Sequence, residues 1–218
     1  MKTYEALKAY HRAERAGWQN ESLSLRVHRA LSWLQRAEQV DQDPDSHFIF
    51  LWISFNAVYA NETPKTYEIS ESEMFNRFLE KLCELDQDRA LNELIWTRYS
   101  GAIRVLLENR FVFGPFWAHQ SGSISVEEFE TRFRRHKTAA HAALAGNTPK
   151  LLSNLFSNLY TLRNQLLHGG STWNSGVNRE QVRVGAQILG DLVPVIIEIM
   201  MRNPATLWGE PKYPVVKS

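Results

Sequence analysis

Cysteine is nearly missing from this chain: Cys83 stands alone in 218 residues. One thiol can close no internal disulfide and cannot build a cysteine-based zinc site, so a reducing, cytoplasmic setting is expected. An excess of one charge is missing too. The 25 basic residues meet 24 acidic ones, net +1, so contact with a polyanion has to come from a local patch. Apolar runs of spanning length are absent. "HFIFLWISFNAVYA", from His47 to Ala60, contains Asn56, and "ILGDLVPVIIEIMM", from Ile188 to Met201, is broken by Asp191, Pro194 and Glu198. A transmembrane helix needs about 20 mainly apolar residues, so both read as buried helices and no membrane is expected among the partners. The polar start "MKTYEALKAYHRAERAGW" does not resemble a secretory signal. There is no His-Glu-x-x-His, no clustered carboxylate set, no P-loop, no dinucleotide-binding glycine pattern and no fixed-period repeat. No cofactor and no metal ligand set is therefore expected. His136 and His141 are five apart, a poor spacing for two ligands on one helix face.

What is present is helical spacing. Apolar residues make up 44% and charged residues 22% of the chain, an ordinary globular balance. Leu23, Val27, Leu31 and Leu34 recur at three- and four-residue steps, predicting a helix over 22–40. "DPDS" before His47 offers a choice of capping residues for a helix running to about Asn61, apolar nearly all round and hence central. Two helices follow, "SESEMFNRFLEKLCEL" and "DRALNELIWTRYSGAIRVLLENR", the second weakened slightly by Gly101. "FVFGPFWAHQSGS" reads as a loop or a short strand. From Ser125 a helix begins with Glu127, Glu128 and Glu130 and continues with Arg132, Arg134, Arg135 and Lys137, an order that suits the helix dipole and a solvated face. The expected architecture is all-α: one domain over 1–218, a bundle core over about 22–203, and an extended tail over 204–218.

The stretch "TLRNQLLHGGSTWNS", Thr161 to Ser175, stands apart. On a helical wheel Leu152, Leu155, Leu159, Leu162 and Leu166 form a core stripe, and Phe156, Tyr160 and Leu167 a second apolar flank. Asn164 and His168, four apart, stack on a third face, with Arg163 at its border. Each has an ordinary explanation. A histidine before Gly169 is a common helix ending, and an arginine can snorkel to a carboxylate. Neither explains the gathering of all three. The bare pattern is weak: 17 arginines and 7 histidines yield about 0.5 chance matches to Arg-x4-His. A looser spacing also admits Arg135 and His141, which lie in the charge-rich helix.

"LRNQLLHGG" resembles the Arg-x4-6-His signature of the HEPN superfamily, and "FLWISFNAVYA", with Asn56, is similar to an early helix of that superfamily. The resemblance covers about 48–61 and 151–203. It implies an all-α HEPN-like antiparallel bundle, a homodimer in which two motifs meet in one cleft, and membership among RNA-cleaving toxins and defence proteins, with an antitoxin or other regulatory protein as a further partner. The polar residue that often follows the motif arginine is matched by Asn164. The tyrosine that some such toxins carry two residues after the histidine is replaced by Gly170, against control by modification there.

Under that resemblance Arg163, Asn164 and His168 are the expected catalytic residues. The RNA's own 2′-hydroxyl would be the nucleophile, His168 a general base or acid and Arg163 the grip on the scissile phosphate. Asn164 would hold the imidazole or a phosphate oxygen. Trp173 and Asn174 are candidates for substrate binding, Trp173 either stacking on an unpaired base or covering the end of the bundle. Arg179 is a candidate phosphate contact. The alternative is a non-catalytic module binding a nucleotide, RNA or a protein through the same pocket, since many HEPN domains lack nuclease activity.

Overall fold

Helices start where the sequence supplies capping oxygens. Thr3, Asn20, Ser70, Ser125 and Asn147 each accept a hydrogen bond from a backbone N–H in the first turn of the helix that follows, which satisfies donors that have no intrahelical partner. In "DPDS" the cap is Asp43. Its carboxylate accepts from the Asp45 N–H at 3.1 Å and the Ser46 hydroxyl at 2.7 Å, and Pro44 occupies the first helical position. The computed structural model describes residues 3–59, 70–176, 178–211 and 213. The chain is all-α, 77% helical, with no strand among the described residues.

The elements are α1 (Tyr4–Glu14), α2 (Glu21–Glu38), α3 (Pro44–Tyr59), α4 (Glu71–Leu85), α5 (Ala90–Asn92), α6 (Ser100–Glu108), α7 (Gly114–Gln120), α8 (Val126–Ala143), α9 (Thr148–Leu167) and α10 (Arg179–Arg202). Two differences from expectation have local causes. The helix expected over 88–110 is interrupted: α5 passes into a π turn, Glu93–Arg98, in which the Tyr99 N–H reaches back five residues to the Leu94 carbonyl at 2.9 Å. The aromatic stretch after Asn109 is not extended. It forms a 3₁₀ turn, Arg110–Val112, and then α7, with Pro115 in the first turn where its missing N–H costs nothing. The β-branched run "LVPVIIEIMM" stays helical within α10. The loop expected at "ANETPKTYEIS" falls mostly on 60–69, outside the described residues.

The chain divides into two compact units, 1–88 with 186–218, and 89–185. In the first, α2 and α3 run antiparallel. Their contacts step in opposite directions along the two helices: the His47 Nδ1–H to the Ala37 carbonyl at 2.8 Å, the Ser54 hydroxyl to the Ala30 carbonyl at 2.8 Å, and the Arg26 guanidinium to the Val58 carbonyl. Arg26 is 1% exposed and also donates to the carbonyls of Trp208 and Gly209. Trp208, beyond α10, is buried at 3% exposure and meets Phe78 edge-on. Phe55, Tyr59 and Phe75 complete that aromatic cluster. Burial, followed by the Asp86, Glu84 and Glu80 carboxylates, pushes the Cys83 thiol up to about 12, so it stays protonated and unreactive near neutrality. In α10 an apolar stretch is long enough by length and mean hydropathy to cross a bilayer, and 72% of that window is buried inside the fold.

In the second unit α9 is the centre. Leu151, Leu152, Leu155, Phe156, Leu159 and Leu162 are each at most 2% exposed. The buried Asn158 donates to the Leu106 carbonyl at 2.8 Å and ties α9 to α6. At the start of α9, Trp96 Nε1–H donates to the Thr148 hydroxyl at 2.8 Å, which donates to Asn92 at 2.6 Å. Phe113, Phe116, Phe129 and Phe133 form the apolar seam between α7 and α8.

Candidate functional site

The C-terminal half of α9 delivers the motif. Leu162 is fully buried, the next residues are half-buried, and Leu167 and His168 are exposed, so the helix emerges from the core as it ends. The ending has the Schellman form. The Gly170 N–H bonds the Gln165 carbonyl at 2.8 Å, and Gly169 takes φ +67°, a conformation that suits glycine. A Cβ at Gly170 would sit 3.2 Å from the Gln165 carbonyl oxygen. Any side chain at this position therefore presses on the helix end.

Arg163 is half-buried. Its Nη1–H donates to Asn164 Oδ1 at 2.9 Å, and its guanidinium lies 5.9 Å from the centre of the Tyr160 ring. Its Nε is buried and has no hydrogen-bond acceptor. No carboxylate pairs with it among the described residues, so the snorkelling-to-a-carboxylate explanation does not hold. Asn164 spends its oxygen on the guanidinium. His168 is the C-cap residue of α9, with φ −96° and ψ 13°. Its side chain is exposed and forms no hydrogen bond or ion pair with another described residue. Asn164 and His168 share a face, while Arg163 and His168, five residues apart, stand about 140° apart around the helix axis. The structure thus joins Arg163 to Asn164, and it presents His168 separately at the tip.

The loop after the motif is pinned by a residue that motif reading passed over. Gln165 Nε2–H donates to the Phe111 carbonyl at 2.7 Å, and its Oε1 accepts from Asn178 Nδ2–H at 2.9 Å. It lies between the two motif positions, and only its helical phase, one step past Asn164, hinted at a turn-facing role. Asn174 and Asn178 take left-handed backbone angles, φ 55° and 54°, which asparagine tolerates. Trp173 is 74% exposed. At that exposure it covers little of the end of the bundle. The Arg179 Nε–H donates to the Ser175 carbonyl at 3.0 Å, so this arginine clamps the loop to the start of α10.

The other spaced pair does not form a comparable site. Arg135 is exposed, and His141 faces Glu108 at 3.5 Å with both side chains largely in solvent. Glu128 and Arg132 form an exposed pair one turn apart at 2.5 Å, matching the solvated face expected for α8. Among the described residues no three His, Cys, Asp or Glu side chains gather as a metal site.

Charge separates by unit. Residues 89–185 hold 12 arginines and lysines against 6 acidic residues, net +6, and the remainder holds 13 against 18, net −5. The near-zero total conceals a basic unit, and that unit carries the motif. No family model, curated protein or solved structure matches this chain.

Proposed function

We propose that the chain is an endoribonuclease of the HEPN type that cleaves RNA without a metal ion, in a cytoplasmic toxin or defence setting. The observation that carries the reading is Arg163: a half-buried guanidinium with no carboxylate to neutralise it, steered by Asn164, on the same helix end as an exposed histidine and within a unit of net charge +6. An arginine so placed has unused donors for an anion, and a phosphodiester supplies two acceptor oxygens in matching geometry.

The chemistry follows from the residues. A ribose 2′-oxygen attacks the adjacent phosphorus and the bond from phosphorus to the 5′-oxygen breaks. An imidazole accepts the 2′-hydroxyl proton, and an imidazolium returns one to the departing oxygen. Arg163 stabilises the charge that builds on the phosphorane. Products are a 2′,3′-cyclic phosphate and a 5′-hydroxyl, and DNA is inert. Because Arg163 and His168 diverge around α9, one chain does not converge them on one phosphate. A second copy would bring its own His168 opposite, and the exposed Tyr160 and Leu167, at 52% and 49%, offer apolar surface for that pairing. Trp173, in the loop beyond the motif, would stack on an unpaired base.

The test is labelled RNA in excess EDTA, with His168→Ala and Arg163→Ala purified in parallel as controls for contaminating nuclease. Loss of the general acid or base costs about 10²–10⁴-fold in rate, and loss of the phosphate donor about 10²–10³-fold. Normal cutting by both variants overturns the assignment. The same divergence of Arg163 and His168 favours a second reading, a non-catalytic binding module, for which the signature is tight RNA binding with the strand left intact.

A further inference from the structure

A second concentration of positive charge lies far from the motif in sequence, inside the unit that is otherwise acidic. Lys8, Arg12 and Arg15 follow one stripe of α1 and the turn after it, at steps of four and three residues, so like charges stack on one face, an arrangement that costs stability. From α2, His28 reaches them as a neutral imidazole: Lys8 Nζ–H donates to His28 Nδ1 at 3.3 Å. None of Lys8, Arg12 and Arg15 forms an ion pair with a carboxylate among the described residues. The dipole of α1 accounts for Arg12 and Arg15 near its C-terminus. It does not account for Lys8, nearly two turns earlier, or for a histidine contributed by another helix.

The cluster borders a concavity. Arg15 and Trp18 from the turn between α1 and α2 meet Glu21, Ser24, Leu25 and His28, one face of the first two turns of α2, around about 540 Å³. That volume lies within the range of small-molecule sites. The lining is mixed in a particular way: an aromatic ring, an aliphatic side chain, a hydroxyl, one carboxylate, and cations at one side. Behind it His11, 0% exposed, packs against Trp18 at 5.4 Å and meets the Ser24 hydroxyl at 3.2 Å, while its Nδ1 is buried without a hydrogen-bond partner. These contacts fix the Trp18 ring and the Ser24 hydroxyl in place before any ligand arrives.

We propose that this hollow between the end of α1 and the start of α2 binds a nucleoside monophosphate, with the phosphate between Lys8, Arg15 and His28 and the base against Trp18. Glu21 serves as acceptor for a ribose hydroxyl or an exocyclic amine, and Leu25 lines the apolar side. The electrostatics agree with an unfilled anion position. Burial, followed by the neighbouring cations, holds both Lys8 and His28 below their ordinary ranges. A bound phosphate relieves that repulsion and raises His28. This site is independent of the nuclease reading.

The test is calorimetry on the full chain with adenosine 5′-monophosphate, adenosine and inorganic phosphate, followed by nuclear magnetic resonance of the histidines. The monophosphate binds, and adenosine and phosphate each bind at least about tenfold more weakly. Arg15→Gln and Lys8→Gln each weaken the monophosphate about tenfold, a typical loss for a charged hydrogen bond. Trp18→Leu weakens the monophosphate by roughly 5- to 100-fold, the usual contribution of one stacked base, with phosphate unaffected. Trp18→Phe, which keeps a flat ring beside His11, recovers part of the loss and separates stacking from misfolding. The His28 titration moves upward with the monophosphate present. Absence of binding, equal affinity for monophosphate and phosphate, or indifference to Arg15→Gln overturns the proposal. So does a short RNA that binds through these residues more than about tenfold tighter than the monophosphate.

Discussion

At the residue scale, a single buried imidazole carries a pH dependence. His11 has no exposure, and burial, then the Lys8 and Arg15 charges, lower its pKa to about 4 from an ordinary 6.5. The unfolded chain therefore binds a proton near pH 6.5 that the folded chain refuses until about pH 4. The folded state loses ground as pH falls through that interval, by up to about 3 kcal/mol. Urea titrations between pH 7 and 4 should show this slope, and His11→Gln should flatten it. An unchanged slope in that variant would assign the acid sensitivity elsewhere. Arg163 makes a contrasting case. Its value to the proposed site rests on a planar fork held by Asn164, so under the nuclease proposal Arg163→Lys, which keeps the charge, is expected to lose most of the RNA cleavage. Retention of full rate would mean that charge alone matters there.

At the scale of elements, the sequence was readable wherever one physical signal dominated. Capping residues and three- and four-residue apolar steps placed α2 to α4, α8 and α9 to within a few residues, because the same periodicity that buries a helix face is written in the chain. Legibility failed between Arg89 and Gln120. There the π turn depends on one Tyr99 bond back to Leu94, and α7 depends on four phenylalanines closing against α8, neither of which has a local sequence signature. The site was legible in part. Arg163, Asn164 and His168 stood out by type, but the pairing of Asn164 with Arg163 in place of the imidazole, and the anchoring by Gln165, depend on rotamers and loop return. The helix end itself is testable. Gly169→Ala forces a left-handed alanine and should cost about 1 kcal/mol in stability. Gly170→Ala, pressed at 3.2 Å against the Gln165 oxygen, should shift the loop and, under the nuclease proposal, lower RNA cleavage with less change in unfolding. If cleavage and stability fall together in both variants, the ending matters for folding only.

At the scale of the whole molecule, net charge +1 is the sum of two opposed halves, +6 on 89–185 and −5 on the rest. Composition alone therefore understates attraction to polyanions. If RNA engages the basic unit through about four phosphates, its affinity should drop on the order of tenfold to a hundredfold between 50 and 200 mM salt. Filter binding across that range checks this. A flat salt response would show that phosphates contribute little, and would count against both readings of the Arg163 site.

Cys83 has a practical consequence. A lone thiol that remains protonated far above neutrality reacts sluggishly with maleimides, so the natural chain already serves as a quiet background for dye attachment. Trp173→Cys, at a position of the loop beyond α9 that is 74% exposed, would then accept a single fluorophore without removal of the native sulfur. Its emission would report directly on whatever enters there.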